Sequence, residues 1–435
     1  MDINIVKKIP KLRILFEGWW QINHSYATVF CFQLIHLFKN YGPNGKLGHK
    51  IDFFVKEMEY YNPNWNNKKK LVYNDEYNEI LKNFKEYNGE EIDLIYRQTY
   101  QYNINVTAEN KSIPKCIFYT SEFSQLNHSY FKFEKPENLD KSKYEEYISL
   151  FLKEFNNIHF TSPSIWSSNG LSRYSIEQDR NRIITHGVDT TIFKYDITER
   201  KNIRKMYNIK DTDILMINIG AMTTNKGILL ILESLHILVN KMGKTNFKLM
   251  LKGSGDLYMC QHFLESYFEQ FKNQNKMTQL EIDNLLQNYI IFTDKTLSYK
   301  RINDLFNASD LYISPYLCEG FNLVGLEYLA SGGNILVPCT GSTKEYVESI
   351  YKDGFGKEYI TFVNSSINID SEGMCQNNIS INNLVETLLN NQTKFKTIKT
   401  NVIYNKMVNY INKELSWYKV SELLFDYFNF IKNSN

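Results

Sequence analysis

The sequence predicts an α/β protein made of two doubly wound, Rossmann-like domains. Three observations carry this. In the second half, apolar runs of strand length alternate with amphipathic runs of helix length. The first half repeats that grammar with longer loops. At 435 residues the chain also exceeds what one compact core holds, so two domains are expected. Strand–helix alternation implies parallel strands joined by right-handed crossovers.

Taken in order, the first strand is Leu12–Phe16, followed by a helix over Ser25–Lys39 whose apolar residues recur at helical spacing. Strands are then expected at Ile51–Lys56, Ile92–Tyr96, Cys116–Tyr119, Ile158–Thr161 and Arg182–Thr185, with a helix over Tyr144–Phe155 before the last two. The pattern lapses near 189–198, which reads as a linker closing a first domain over 1–192. A second domain over 197–405 begins with the strand Ile214–Gly220 and the helix Ile228–Asn240. Its further strands are Phe247–Lys252, Tyr289–Thr293, Leu311–Pro315 and Asn334–Pro338. Residues 403–430 read as one or two helices, and no repeat of solenoid period is visible. Two such domains enclose a cleft, and ligands of these sheets bind outside the carboxyl ends of the strands. Function is therefore sought in the loops that follow strands.

Composition excludes several classes. With 50 Lys+Arg against 48 Asp+Glu the net charge is +2, which gives no basic field for a nucleic-acid partner. Mean hydropathy is −0.41 and no apolar run reaches 18 residues, so no transmembrane helix is expected. The opening residues Met1 to Lys8 contain no apolar stretch of signal-peptide length. Cys31, Cys116, Cys260, Cys318, Cys339 and Cys375 are scattered without a CxxC pair, which fits reduced thiols rather than a disulfide frame or zinc site. A cytoplasmic protein is the expectation, with no metal and no cofactor.

The most informative stretch runs from Ser309 to Gly332. A strand ends at Pro315, a loop carries Glu319-Gly320, and a helix starts near Asn322, a good N-cap. The free amides of that first turn, with the positive end of the helix dipole, make an anion site. Glu327 lies about 7.5 Å further along the helix, roughly the reach from a diphosphate to a ribose. Glu319 precedes the helix, on the other side of the phosphates.

Two glutamates spaced Glu-x7-Glu around Gly320-Phe321 resemble the signature of retaining GT-B glycosyltransferases, glycosyltransferase family 4 especially. The resemblance implies that Glu319 contacts the donor sugar and Glu327 the nucleotide ribose, while Gly320, Phe321, Asn322, Leu323 and Val324 cradle the diphosphate. The loop Gly220 to Gly227 is similar to the family's Gly-Arg-x4-Lys-Gly loop. Lys226 matches the phosphate-binding Lys, whereas Ala221 stands where the Arg is usual. Gly253, in Lys252-Gly253-Ser254-Gly255, matches a turn that approaches the nucleotide. Gly341 to Glu345 resembles a Gly-Gly-x-x-Glu loop, and Ser416-Trp417 the segment from which a C-terminal helix crosses back, so residues 415–435 are expected to complete the first domain.

The first half matches only in outline. Gly18 stands in the loop that in the family approaches donor phosphate and acceptor, followed by Trp19 and Trp20, whose faces suit either a sugar or a core. After Cys116–Tyr119, where many members carry a His, the sequence reads Thr120-Ser121-Glu122. Arg97, Glu122 and His186 are further cleft candidates, and loops 97–112 and 120–140 are expected to hold the acceptor. Together the resemblance implies a GT-B fold and a retaining, metal-independent transfer of sugar from a UDP- or GDP-linked donor. The acceptor would be a glycan, a lipid-linked or a small hydroxyl compound, with peripheral membrane contact as an option. A GT-B epimerase or phosphorylase, or a silent sugar-binding scaffold, stays open beside it.

Overall fold

The computed structural model describes residues 11–68, 72–352, 354, 356–397 and 401–434. The reading of Met1 to Lys8 lies outside them. The first sheet has seven parallel strands in the order Lys85–Glu86, Ile51–Glu57, Leu12–Gly18, Leu94–Gln98, Lys115–Phe118, Ile158–Ser162 and Asn181–Ile183. The second has six, ordered Ile290–Thr293, Phe247–Lys252, Ile214–Ile219, Leu311–Ile313, Asn334–Pro338 and Ile360–Val363. Both are Rossmann orders. In each, the direction of strand addition reverses beside the first strand, between Leu12–Gly18 and Leu94–Gln98 in one sheet and between Ile214–Ile219 and Leu311–Ile313 in the other. Such reversals open a crevice at the carboxyl ends of the strands. The loops 19–24, 99–101, 220–227 and 314–322 leave the sheets there.

The central strands are buried on both faces, as helix-covered parallel strands must be, and so read as continuous apolar runs. The helix Ser25–Tyr41 begins at His24, whose ring accepts from the Tyr26 amide. The expected helix Ile228–Asn240 divides into an α-helix over Ile228–His236 and a π turn over Ile237–Lys241. Among the strands that escaped the sequence reading are Lys85–Glu86 and Ile360–Val363, the short parallel pair Tyr102–Asn103 with Phe131–Lys132, and an antiparallel hairpin, Ser365–Ile369 with Cys375–Ile379. The first is two exposed residues, and the hairpin is rich in Asn and Ser, residues depleted in or neutral to strands.

Residues 403–430 resolve into two helices, Asn401–Glu414 and Trp417–Ser434. Between them Ser416 pairs with Val188, and the Val188 amide donates to the Leu415 carbonyl at 2.9 Å. The second helix lies in the core of the first sheet. Trp417 stacks on Phe32 at 5.3 Å, Phe425 on Tyr41 at 4.0 Å, and Phe428 meets the rings of Phe16 and Tyr96. Each such side chain contributes on the order of 1.5–3 kcal/mol by burial. All six cysteines are free. Among the described residues no helix is long and apolar enough to cross a membrane.

Candidate functional site

Beyond Leu311–Ile313 the chain turns and enters the helix Leu323–Ala330 through Asn322, which is left-handed (φ 68°) and caps the Gly325 amide with its own side chain. Asn tolerates that conformation better than most residues. Leu323 and Val324 open the helix, so their amides have no preceding helical carbonyl to bond. The loop 220–227 is pressed against this segment. Gly227 has φ 71° and a Cβ there would collide with the Pro315 carbonyl, so only glycine lets the two loops close. The Leu317 amide donates to the Asn225 carbonyl at 2.8 Å.

This contact delivers Lys226 to Glu319, with which it forms a close ion pair. A second carboxylate, Glu122, arrives from the first sheet and lies 3.7 Å from the same ammonium, held by Asn225 Nδ2 at 3.0 Å. One cation thus serves two half-buried carboxylates. Burial alone would lower Lys226, but Glu319 and Glu122 outweigh it and hold the ammonium above its ordinary range. Burial raises the Glu122 carboxyl, Lys226 partly offsets this, and Glu319 adds to it. Glu327 is only 7% exposed, and burial pushes its carboxyl up to about 8. No hydrogen bond or ion pair reaches its carboxylate among the described residues.

The first domain closes over this loop. A Cβ on Gly320 would strike Thr120 Oγ1, and the Gly320 carbonyl accepts from Ser164 Oγ at 2.8 Å and Ser167 Oγ at 3.1 Å. Glu345 of the second domain accepts from the Ile165 and Trp166 amides, each at 2.7 Å, capping a short helix of the first. On the opposite flank His24 bonds Tyr258 OH at 2.8 Å, and Trp65 Nε1 donates to the Leu257 carbonyl at 3.2 Å. His24 Nδ1 accepts from the backbone, so Nε2 carries the proton and donates; burial holds the ring neutral, with its pKa near 4. His24, Trp65 and Tyr258 were missed because each acts through a partner over 100 residues away, and the loop that carries Glu345 was singled out without its amide partners in the first domain.

Several expected cleft residues are corrected. Trp19 is buried with Ile22, Tyr60 and Trp65, its Nε1 donating to the Glu59 carbonyl, so it caps a small core. Trp20 packs against the main core. Arg97 is buried in an ion pair with Glu17 at 2.6 Å and donates to the Asn103 carbonyl. His186 lies beneath Phe321, 4.9 Å between rings, against Phe118 and Trp417, and burial pushes it down to about 3. Glycine is required at Gly18 and Gly253 by neighbouring side chains: a Cβ would stand 2.8 Å from the Phe30 ring or 2.5 Å from Cys260 Cβ. Of the first-half candidates, Glu122 is the one brought to Lys226. Beside it, at the carboxyl ends of Ile51–Glu57 and Leu94–Gln98, opens a groove of about 520 Å³ lined by residues 56–61, Thr99 to Gln101, Asn103 and Lys132. Among the described residues no three His, Cys, Asp or Glu side chains are grouped to hold a metal ion.

Comparison with known proteins bears on this geometry. Residues 199–357 match the family model of glycosyl transferases group 1. An uncharacterized glycosyltransferase of Methanocaldococcus jannaschii is 22% identical over 179 residues, 41% of this chain and 41% of its own length. The match therefore spans about two fifths of that relative. Among solved structures, Anabaena HepE in complex with UDP-glucose is similar over 95% of this chain and 98% of its own, at 12% identity and a TM-score of 0.59. A glycosyltransferase from Rickettsia africae gives 13% identity and 0.61, and sucrose-phosphate synthase from Thermosynechococcus elongatus 12% and 0.60, each over 98% of this chain and 100% of its own. The fold is GT-B, with two Rossmann-like domains facing one cleft.

Proposed function

We propose, on the premise that residues 199–357 form a glycosyl transferases group 1 domain in a GT-B frame, that the protein transfers a sugar from a nucleoside-diphosphate sugar to a hydroxyl acceptor with retention of anomeric configuration. One observation carries this: Lys226 stands beside Glu319 at the start of the helix Leu323–Ala330, while Glu327 lies buried and, among the described residues, without a partner further along that helix. A diphosphate on the first-turn amides would meet Lys226 as its cation, with no metal needed for that charge. Ribose hydroxyls would then satisfy Glu327, and Glu319 would face the sugar. The UDP-glucose complex of HepE supports a uridine donor, with guanosine as the alternative.

In the reaction the bond from the anomeric carbon to the diphosphate oxygen breaks and a bond to the acceptor oxygen forms. The acceptor proton passes to the departing diphosphate, so no separate base is required of the protein. Glu319 would stabilise positive charge at the anomeric carbon, an interaction that strengthens in the transition state. The acceptor would enter through the groove of residues 56–61 and 99–101, within reach of Tyr100 and Tyr61. The test is a thermal-shift screen against UDP, GDP, ADP and their sugar conjugates, since a ligand at 100 times its Kd stabilises by about 2.7 kcal/mol. Proton NMR of the product then reads the anomeric configuration. An inverted product would remove the retaining assignment, and an altered nucleotide sugar formed without acceptor would identify an epimerase instead.

A further inference from the structure

Glu122 belongs to the first domain, yet its carboxylate is committed to the phosphate-binding loop of the second. Its backbone carbonyl is held by Trp166 Nε1 at 2.8 Å and its side chain by Asn225 at 3.0 Å, which orient it toward Lys226. The groups that face it from the first domain are Tyr26, Tyr100, Tyr102 and Tyr130. From the second domain they are Lys226, Glu319, Tyr258 and Cys318. The tyrosines and Cys318 are all raised by burial and stay neutral near pH 7. Lys226 is therefore the single positive charge in this set, balanced against two carboxylates.

A nucleotide sugar adds two phosphate charges beside that one ammonium. Lys226 alone cannot compensate four anionic groups, and their partial burial weakens the screening that water would give. Glu319 has its own place at the sugar, on the reading given above, which leaves Glu122 as the surplus carboxylate. We infer that binding of the nucleotide-sugar donor is coupled to uptake of one proton from solvent by the Glu122 carboxylate. The carboxylate becomes a neutral carboxylic acid that donates its new hydrogen bond toward the phosphates, and no other bond changes.

The sign follows from linkage. The bound state holds the proton more tightly than the free state, so between the two pKa values binding takes up a proton. Donor affinity then falls as pH rises through that window, by at most about tenfold per pH unit for one proton, and is flat outside it. The existing direction agrees: the Glu122 carboxyl is already raised before any phosphate arrives.

The proposal rests on the donor reading, and the experiment separates the two. UDP-glucose, with GDP-mannose as the second probe, is titrated calorimetrically into the full chain, and into Glu327→Gln to remove the other raised carboxyl of the donor site, from pH 6 to 9 in two buffers of different ionisation enthalpy. The phosphates of both probes are diesters and do not titrate in this range. The expected result is a buffer-dependent heat reporting up to one proton taken up, with Kd rising as pH rises. Glu122→Gln, which is neutral at every pH, should abolish both effects in the Glu327→Gln background and bind more tightly than its Glu122 counterpart at pH 9. Binding by the wild-type chain with no proton exchange at any pH overturns the linkage and leaves the donor reading standing. Exchange that persists undiminished when Glu122→Gln is combined with Glu327→Gln overturns the assignment to Glu122. Failure of both probes to bind overturns the donor reading and the linkage with it. The wild-type measurement decides the linkage even where the variant folds poorly.

Discussion

The strand Leu311–Ile313 carries an ionic cluster at each end, and the two are built on opposite plans. At its amino end Asp310 is buried and met by Arg200 at 2.5 Å, Arg204 at 3.0 Å, Lys396 at 3.6 Å and the Leu215 amide at 2.9 Å. Its cations also serve backbone carbonyls: Arg200 those of Asn307 and Ser309, Arg204 those of Ala308 and Asp213. At the carboxyl end the supply is reversed. Glu319 and Glu122 share Lys226, and Glu327 has no partner among the described residues. A cluster whose charges are consumed internally holds the fold, whereas one with a single cation for three carboxylates leaves charge uncompensated, as the proposed donor site would require.

The most disruptive way to break this contrast is at the structural end. Asp310→Ala strands buried guanidinium groups and should cost about 3–5 kcal/mol of unfolding free energy, read from urea denaturation, with nucleotide affinity of the folded fraction unchanged. At the other end Glu319→Gln should leave the urea midpoint and the affinity for bare nucleoside diphosphate nearly intact. It should slow transfer by roughly 100- to 1000-fold, about 2.7–4 kcal/mol of barrier; initial rates within a few-fold of wild type would remove Glu319 from the chemistry. Lys226→Met should lower turnover by about 1.5–3 kcal/mol, the worth of a charge-assisted hydrogen bond, with little change in melting temperature. Glu327→Gln should weaken nucleoside diphosphate binding by about 1.5 kcal/mol, measured by calorimetry.

Glu327 also sharpens the contrast through pH. Its carboxyl is raised to about 8 in the folded protein, so the folded state keeps a proton that the unfolded chain releases near its ordinary 4.5. Stability attributable to this group is therefore lost as pH rises from about 4.5 to 8, and is flat above. The melting temperature of Glu327→Gln relative to wild type should climb from pH 5 to pH 8. The smallest effect is expected from Ala221→Arg, which adds a second cation beside Lys226 and should modestly tighten diphosphate binding.

What was legible in the sequence follows the same divide. Both sheets, the loop of Lys226 and the pair Glu319 and Glu327 were readable because each is written in a local run: strand, turn, glycine, helix start. The two-residue strand Lys85–Glu86 and the Asn-rich hairpin carry almost no periodic signal. Trp19, Arg97 and His186 were read as cleft residues because polar or aromatic side chains after a strand suggest a ligand. Whether such a side chain turns outward depends on partners elsewhere, and Glu17, Glu59, Tyr60 and Phe321 turned these three inward. The contacts that join the domains, Glu345 to residues 165–166 and His24 to Tyr258, depend on the closed cleft itself, which no single stretch of sequence encodes.

The helix Trp417–Ser434 sets the order in which the molecule can be completed during synthesis. Phe16, Phe32, Tyr41 and Tyr96 belong to the first sheet and its first helix, but Trp417, Phe425 and Phe428, which cover them, are translated only after the whole second sheet. A nascent chain therefore carries an uncovered aromatic face while more than 200 further residues are being made. Domains usually fold in turn as they leave the ribosome, and exposed apolar surface invites aggregation and chaperone binding. Here the first domain must wait for the last helix, so premature termination before Trp417 would spoil the half of the protein that was made first.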